Sequence, residues 1–214
     1  MITQERIDTF IRSFDTGNTD FLNQIEQFAL KTNVPVIRPQ TQGLLKLLLA
    51  VKQPQSILEV GTAIGFSALL MREYGPLDCH ITTIEKYEKR ILLAKENFKK
   101  AGCGDRISLI EGDAADILKN LSGTYDFIFM DAAKGQYIHF LPDILRLMSV
   151  GGLLVSDNVL QDGDVLESRY AVTRRDRTIH GRMREYLYAL KHHGQLRTEI
   201  LPLGDGVTVS VKVK

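Results

Sequence analysis

Tryptophan is absent from this chain and cysteine nearly so, with Cys79 and Cys103 the two thiols among 214 residues. Two cysteines so far apart make neither a disulfide framework nor a zinc site, and a reducing, cytoplasmic compartment is expected. An excess of one charge is also lacking. At a net +1, no whole-protein field draws the chain to a polyanion, so any such patch has to be local. Long apolar runs are missing. The most apolar stretch, Leu44 to Val51, is interrupted by Lys46 and is too short to cross a bilayer. The first residues, Met-Ile-Thr-Gln-Glu-Arg-Ile-Asp, lack the apolar centre of a signal peptide. There is no internal repeat and no low-complexity segment. What remains is an ordinary globular composition long enough to core a single domain.

The most informative stretch runs from Ser56 to Ser67, Ser-Ile-Leu-Glu-Val-Gly-Thr-Ala-Ile-Gly-Phe-Ser. Ile57, Leu58 and Val60 suit a buried strand, and Gly61 and Gly65 bracket a turn. A helix begins at Phe66. Glu59 is the one charge inside the strand, where an unpaired carboxylate is costly. Strand, glycine turn and helix start together let backbone approach a ligand closely. The spacing is not the G-x-G-x-x-G of a dinucleotide site.

Ahead of it, apolar residues at helical spacing (Ile2, Ile7, Phe10, Ile11, Phe14, then Phe21, Leu22, Ile25, Phe28) predict two short helices separated by Asp15–Asp20. They cover the mouth of a site, pack on a second subunit, or only extend the core. Val34 to Pro39 reads as an extended connector and Gln40 to Lys52 as a third helix. Beyond Ser56 strands and helices alternate. Strands are expected at 57–60, 80–85, 107–111, 127–131 and 153–156, and helices at 66–74, 87–101, 114–121 and 137–148. Repeated βαβ units imply a doubly wound parallel sheet. A hairpin closes the chain, with Leu196–Leu203 and Val207–Val213 flanking Gly204-Asp-Gly206.

Ligands of such sheets sit beyond the carboxyl ends of the strands. Acids stand at or near those ends: Glu59, Glu85, Asp131 and Asp157, with Glu111-Gly-Asp113-Ala114 after the third strand. Glu85 is placed to accept hydrogen bonds from ribose hydroxyls. Two carboxylates and an amide oxygen form a hard, oxygen-only set suited to Mg²⁺ or Ca²⁺. A second feature is the segment Arg169 to Glu185, six arginines against Asp176 and Glu185. Such a run suits phosphate contact, or is an ordinary solvated helix face. The role of His180 stays open, and His139, His192 and His193 are expected at the surface.

The Glu59-x-Gly61-x-x-x-Gly65 turn resembles motif I of S-adenosylmethionine (AdoMet) methyltransferases. Asp131-Ala-Ala-Lys134 with Asp157-Asn158 resembles the metal and catalytic set of the caffeoyl-CoA and catechol O-methyltransferase family. The likeness runs from about Pro35 through Val213, and within that family the bacterial tRNA 5-hydroxyuridine methyltransferases look nearest. Plant members more often carry an acid where this chain has Ala133.

The resemblance implies a class I methyltransferase fold, Rossmann-like, with seven mostly parallel strands and the last antiparallel. One domain is expected over residues 1–214, with a helical extension at 1–52 and the core at 53–214. It implies AdoMet contacts from Ile37, Glu59, Gly61, Ser67, Glu85, Asp113, Ala114 and Asp131. Mg²⁺ or another divalent cation is expected on Asp131, Asp157 and Asn158, with Lys134 as general base. Arg174, Arg175, Arg177, Arg182 and Arg184 are expected to hold the anticodon loop of tRNA, whose 5-hydroxyuridine becomes 5-methoxyuridine. A cytoplasmic homodimer with no membrane partner completes the expectation. The alternatives are a small catechol-like or hydroxycinnamoyl acceptor, and a non-catalytic AdoMet-binding module that recognises RNA or protein.

Overall fold

A computed structural model describes residues 4–214 of the chain. Ile2, part of the predicted periodicity of the first helix, lies outside them. Three helices come first: α1 (Gln4–Arg12), α2 (Asp20–Lys31) and α3 (Pro39–Lys52). Pro39 opens α3, where its missing N–H leaves no helical hydrogen bond unmade. Leu22, Ile25 and Ala29 of α2 and Leu45 and Leu49 of α3 are buried in one apolar core with residues of α4 and the sheet. On α1, Ile7, Phe10 and Ile11 remain exposed, as does Phe14 just beyond it.

The seven strands are β1 (Ser56–Val60), β2 (His80–Glu85), β3 (Ile107–Glu111), β4 (Tyr125–Met130), β5 (Met148–Ser156), β6 (Leu196–Leu201) and β7 (Val207–Lys212). They lie in the order β3-β2-β1-β4-β5-β7-β6. Strands β1 to β5 run parallel, and β7 inserts antiparallel between β5 and β6. The helices between them are α4 (Phe66–Tyr74), α5 (Glu88–Lys100), α6 (Ala114–Asn120), α7 (Tyr137–Leu147) and α8 (Arg177–His192). This is the doubly wound sheet expected from the alternation, with its reversed last strand.

The central strands are buried on both faces, which is why they read as continuous apolar runs rather than alternating ones. Ile57, Phe127, Phe129 and Val155 face the layer holding α2 to α5. Leu58, Val60, Ile128, Met130 and Leu154 face the layer holding α6 to α8.

Register decides where the site lies. Val60 pairs with Ile84 on one side and Met130 on the other, and Met130 pairs with Ser156. The next residue of each strand therefore sits on one edge of the sheet. The ladder runs one step further there: Gly61 N donates to Ile84 O, Asp131 N to Val60 O and Asp157 N to Met130 O, each at 3.0 Å. Asp131, predicted inside the fourth strand, is instead released at its end. The winding reverses between β1 and β4, the place where open α/β sheets leave a crevice.

Candidate active site

At that crevice lies a cleft of about 1040 Å³. Ile37, Gly61, Ser67, Glu85, Asp113, Ala114, Asp131, Lys134 and Asn158 all line it. Gly61 is required there for two reasons. Its φ is +102°, and a Cβ on it would stand 2.2 Å from the Asp131 carbonyl oxygen. Any side chain would push β1 and β4 apart at the point where the acids gather.

Glu59 is not in the wall, contrary to its expected place among the cofactor contacts. It is fully buried behind Ser67, whose Oγ donates to Glu59 Oε1 at 2.5 Å. Thr83 Oγ1 donates to the other carboxylate oxygen, and Thr83 in turn bonds Thr62, which lines the cleft. Side chains alternate across a strand, so Glu59 shares the Ile57 face and points under α4 rather than out of the sheet edge. Burial pushes its carboxyl up to about 7, against the pull of the two hydroxyls. Through Ser67 directly, and through Thr83 and Thr62, it is connected to the cleft wall.

Glu85 is built differently. Oε2 accepts from Ala63 N at 2.9 Å, and Oε1 accepts from Lys86 N and Tyr87 N at 3.0 and 2.9 Å. Three backbone amides thus aim one carboxylate, which borders both the glycine turn and the start of α5. Asp113 caps α6 through Ala115 N and pairs with Lys86 at 3.0 Å. Those two contacts, the amide first, hold its carboxyl below the usual range.

The remaining polar groups meet at the ends of β4 and β5. Lys134 Nζ lies 3.0 Å from Asp131 Oδ1 and 2.7 Å from Asn158 Oδ1. Asp157 is buried beside them. One of its oxygens accepts from Thr41 Oγ1 at 3.1 Å, and the other, Oδ2, is buried with no partner. Burial, and then the neighbouring Asp131, raise its carboxyl to about 6. Tyr137 Oη donates toward the carbonyls of Met130 and Asp157, at 3.0 and 3.1 Å, and so ties the two strand ends together. Among the described residues no three His, Cys, Asp or Glu side chains form a metal-binding group. The candidate set here is two carboxylates and an amide oxygen.

The model of an O-methyltransferase family matches residues 12–213. Catechol O-methyltransferase of Niastella koreensis is 32% identical over 169 residues, 76% of each chain. Caffeoyl-CoA O-methyltransferase 2 of Populus trichocarpa is 31% identical over 177 residues, covering 79% of this chain and 72% of its own. The chain belongs to the O-methyltransferase family. Its type is the caffeoyl-CoA and catechol one, and it is an AdoMet-dependent enzyme rather than an idle binding module. In solved structures the SAH-bound methyltransferase of Podospora anserina superposes with a TM-score of 0.87 at 28% identity. That match covers 99% of this chain and 97% of the other.

One wall of the methyltransferase's cleft is tied together from parts far apart in sequence. Arg38 of the extended connector pairs with Asp162 at 2.6 Å. The Asp162 amide donates to Asp205 of the β6–β7 turn, and both acids line the cleft. Gly206 packs where a Cβ would meet Leu160 at 2.3 Å. Gly204-Asp-Gly206 is thus more than a hairpin turn. Its dense glycine was the one signal available, whereas nothing in the sequence pointed to Arg38, Thr41 or Asp162.

The arginine segment divides. None of its five singled-out arginines lines the cleft. Arg182 donates to Gly135 O at 3.1 Å, Arg184 to Val165 O at 3.0 Å and Arg177 to Val172 O at 3.4 Å. These three hold loop carbonyls against α8, because a guanidinium on a helix flank finds the nearest unpaired backbone oxygens. Arg174 and Arg175 are exposed and make no bond among the described residues. His180, left open above, is buried and bonds Glu167 O at 3.1 Å.

Proposed function

We propose that this methyltransferase uses Mg²⁺ to methylate one hydroxyl of an acceptor with two neighbouring oxygens, and that the acceptor is 5-hydroxyuridine in the anticodon loop of tRNA. One observation carries the metal reading. Asp131 and Asn158 converge within hydrogen-bonding reach of a single cationic group, beside a buried Asp157 oxygen that nothing satisfies. A hard divalent cation fits such donors, since oxygen-only sets of carboxylate and amide favour Mg²⁺ over zinc. When bound, it would supply Lewis acidity toward the acceptor oxygens, and AdoMet would supply the electrophilic methyl group.

The protein's own residues do the rest. Glu85 receives the ribose hydroxyls at the far end of the cleft. Gly61 lets the backbone close on the methionine portion, and Ser67 and Asp131 fix its polar head. Lys134 Nζ is the group that takes the proton from the acceptor hydroxyl. Arg38, Asp162 and Asp205, tied to one another in the cleft wall, border the space left for the acceptor.

Support for tRNA is the exposed cluster Arg169, Tyr170, Arg174 and Arg175. It offers phosphate contact and a stacking ring where bases are splayed from a loop. A second reading, a small catechol-like acceptor, is favoured by relatives named for catechol and caffeoyl-CoA. We read the chain as one cytoplasmic domain with residues 1–52 as a helical extension. The exposed apolar stripe of α1 supports a homodimer.

The deciding assay is methyl transfer from labelled AdoMet to 5-hydroxyuridine-containing tRNA and, separately, to a panel of free catechols. Incorporation at the modified uridine supports the tRNA reading. Efficient turnover of a catechol with tRNA left untouched overturns it, and full turnover of either acceptor in excess EDTA overturns the metal.

A further inference from the structure

Lys134 has a second use, which rests on the metal reading above. Its ammonium is boxed by Asp131 Oδ1 at 3.0 Å, Asn158 Oδ1 at 2.7 Å and the ring of Tyr137, whose centroid is 5.6 Å from Nζ. Two of the three proposed metal ligands are therefore held by a cation belonging to the chain itself. We propose that Lys134 is a tethered competitor for the divalent cation: its ammonium neutralises the ligand set and has to leave Asp131 and Asn158 before a cation can be held there.

The geometry makes the amine an incomplete substitute. An ammonium has three N–H donors, and two are spent on Asp131 and Asn158. The third ligand, Asp157 Oδ2, is buried and receives nothing. A divalent ion that satisfies all three oxygens therefore gains a contact the amine does not make. Asp131 and Lys134 stand three residues apart across the end of β4, and the side chains of both are about a quarter exposed. The amine can swing into the cleft without unfolding its turn, because Gly135 is anchored separately by Arg182.

The test measures metal affinity, not turnover. Mn²⁺ serves as the probe, its free concentration read by electron paramagnetic resonance, with no AdoMet or acceptor present. Lys134→Met removes the competing charge at similar length, and Lys134→Arg keeps it. Lys134→Met should bind Mn²⁺ about tenfold more tightly than wild type, the size of one charge-assisted hydrogen bond no longer displaced. Lys134→Arg should stay within about threefold of wild type, because a cation is still there to be displaced. Equal or weaker binding by Lys134→Met overturns the competitor while leaving the metal site standing. If neither wild type nor Lys134→Met binds Mn²⁺, the oxygen set is not a metal site, and the reading beneath this one falls with it.

Discussion

The pH dependence of stability should carry the signature of Glu59, and replacing it by Gln should erase that signature. Glu59 is fully buried, and its carboxyl is raised from an ordinary 4.5 to about 7. An acid whose folded value lies above its unfolded one holds its proton longer in the native state. Its contribution is present in full below about pH 4.5 and is lost as pH rises through 7. At roughly 1.4 kcal/mol per unit of pH across that interval, the loss amounts to about 3 kcal/mol. Gln keeps the geometry: its carbonyl accepts from Ser67, and its amide can donate to a Thr83 hydroxyl that turns toward Thr62. It stays neutral throughout, so its cost does not vary with pH. Urea unfolding of both proteins at intervals from pH 4.5 to 8 reads the difference. Asp157 also titrates upward in this range, so the wild-type curve alone is ambiguous, but Asp157 is common to both proteins and cancels in the comparison. Glu59→Gln should gain about 3 kcal/mol relative to wild type between the two ends. Parallel curves would refute the claim that a buried carboxyl, met by two hydroxyls and no cation, lies beneath the cleft wall.

Other expectations follow from the same geometry. Gly61→Ala should lose about 2–5 kcal/mol of stability, from a side chain at positive φ and a clash with the Asp131 carbonyl. It should bind AdoMet poorly by calorimetry, and wild-type affinity would show that the strands do not need that close approach. Glu85→Ala should weaken AdoMet by about 1.5–3 kcal/mol, and unchanged affinity removes Glu85 from the ribose site. Arg182→Ala should cost about 1 kcal/mol through the abandoned Gly135 carbonyl and slow methyl transfer without altering AdoMet binding. Replacing Arg174 and Arg175 together by Ala should change stability by no more than about 0.5 kcal/mol. The log–log salt slope of tRNA binding should flatten by about two at most. An unaltered slope takes those residues out of any RNA contact.

The alternation of apolar runs with helical spacing was enough to determine the doubly wound sheet. Its strands are buried on both faces, and that burial writes itself into the residues as uninterrupted Val, Ile, Leu and Phe. The glycine turn was equally legible. A positive φ at Gly61 and the close pass of Asp131 both exclude a side chain, and that exclusion is local. Asp131, Asp157 and Asn158 were readable together because each sits just past a strand end, and register in a parallel sheet aligns strand ends; Lys134 joined them through the resemblance to the family's metal and catalytic set. Three matters belonged to the tertiary structure alone. Glu59 looked like a cleft residue, but strand pleating turns it to the opposite side, where Ser67 and Thr83 take its oxygens. The arginine run looked like one basic surface, but contact with backbone carbonyls divides it, among the described residues, into three clamps (Arg177, Arg182 and Arg184) and three exposed cations (Arg169, Arg174 and Arg175). Arg38 and Asp162 are 124 positions apart in the chain. They meet only because the connector before α3 and the loop after β5 cross the same edge of the sheet. Periodicity records which face of an element is buried; it carries no record of which distant loop a side chain will reach.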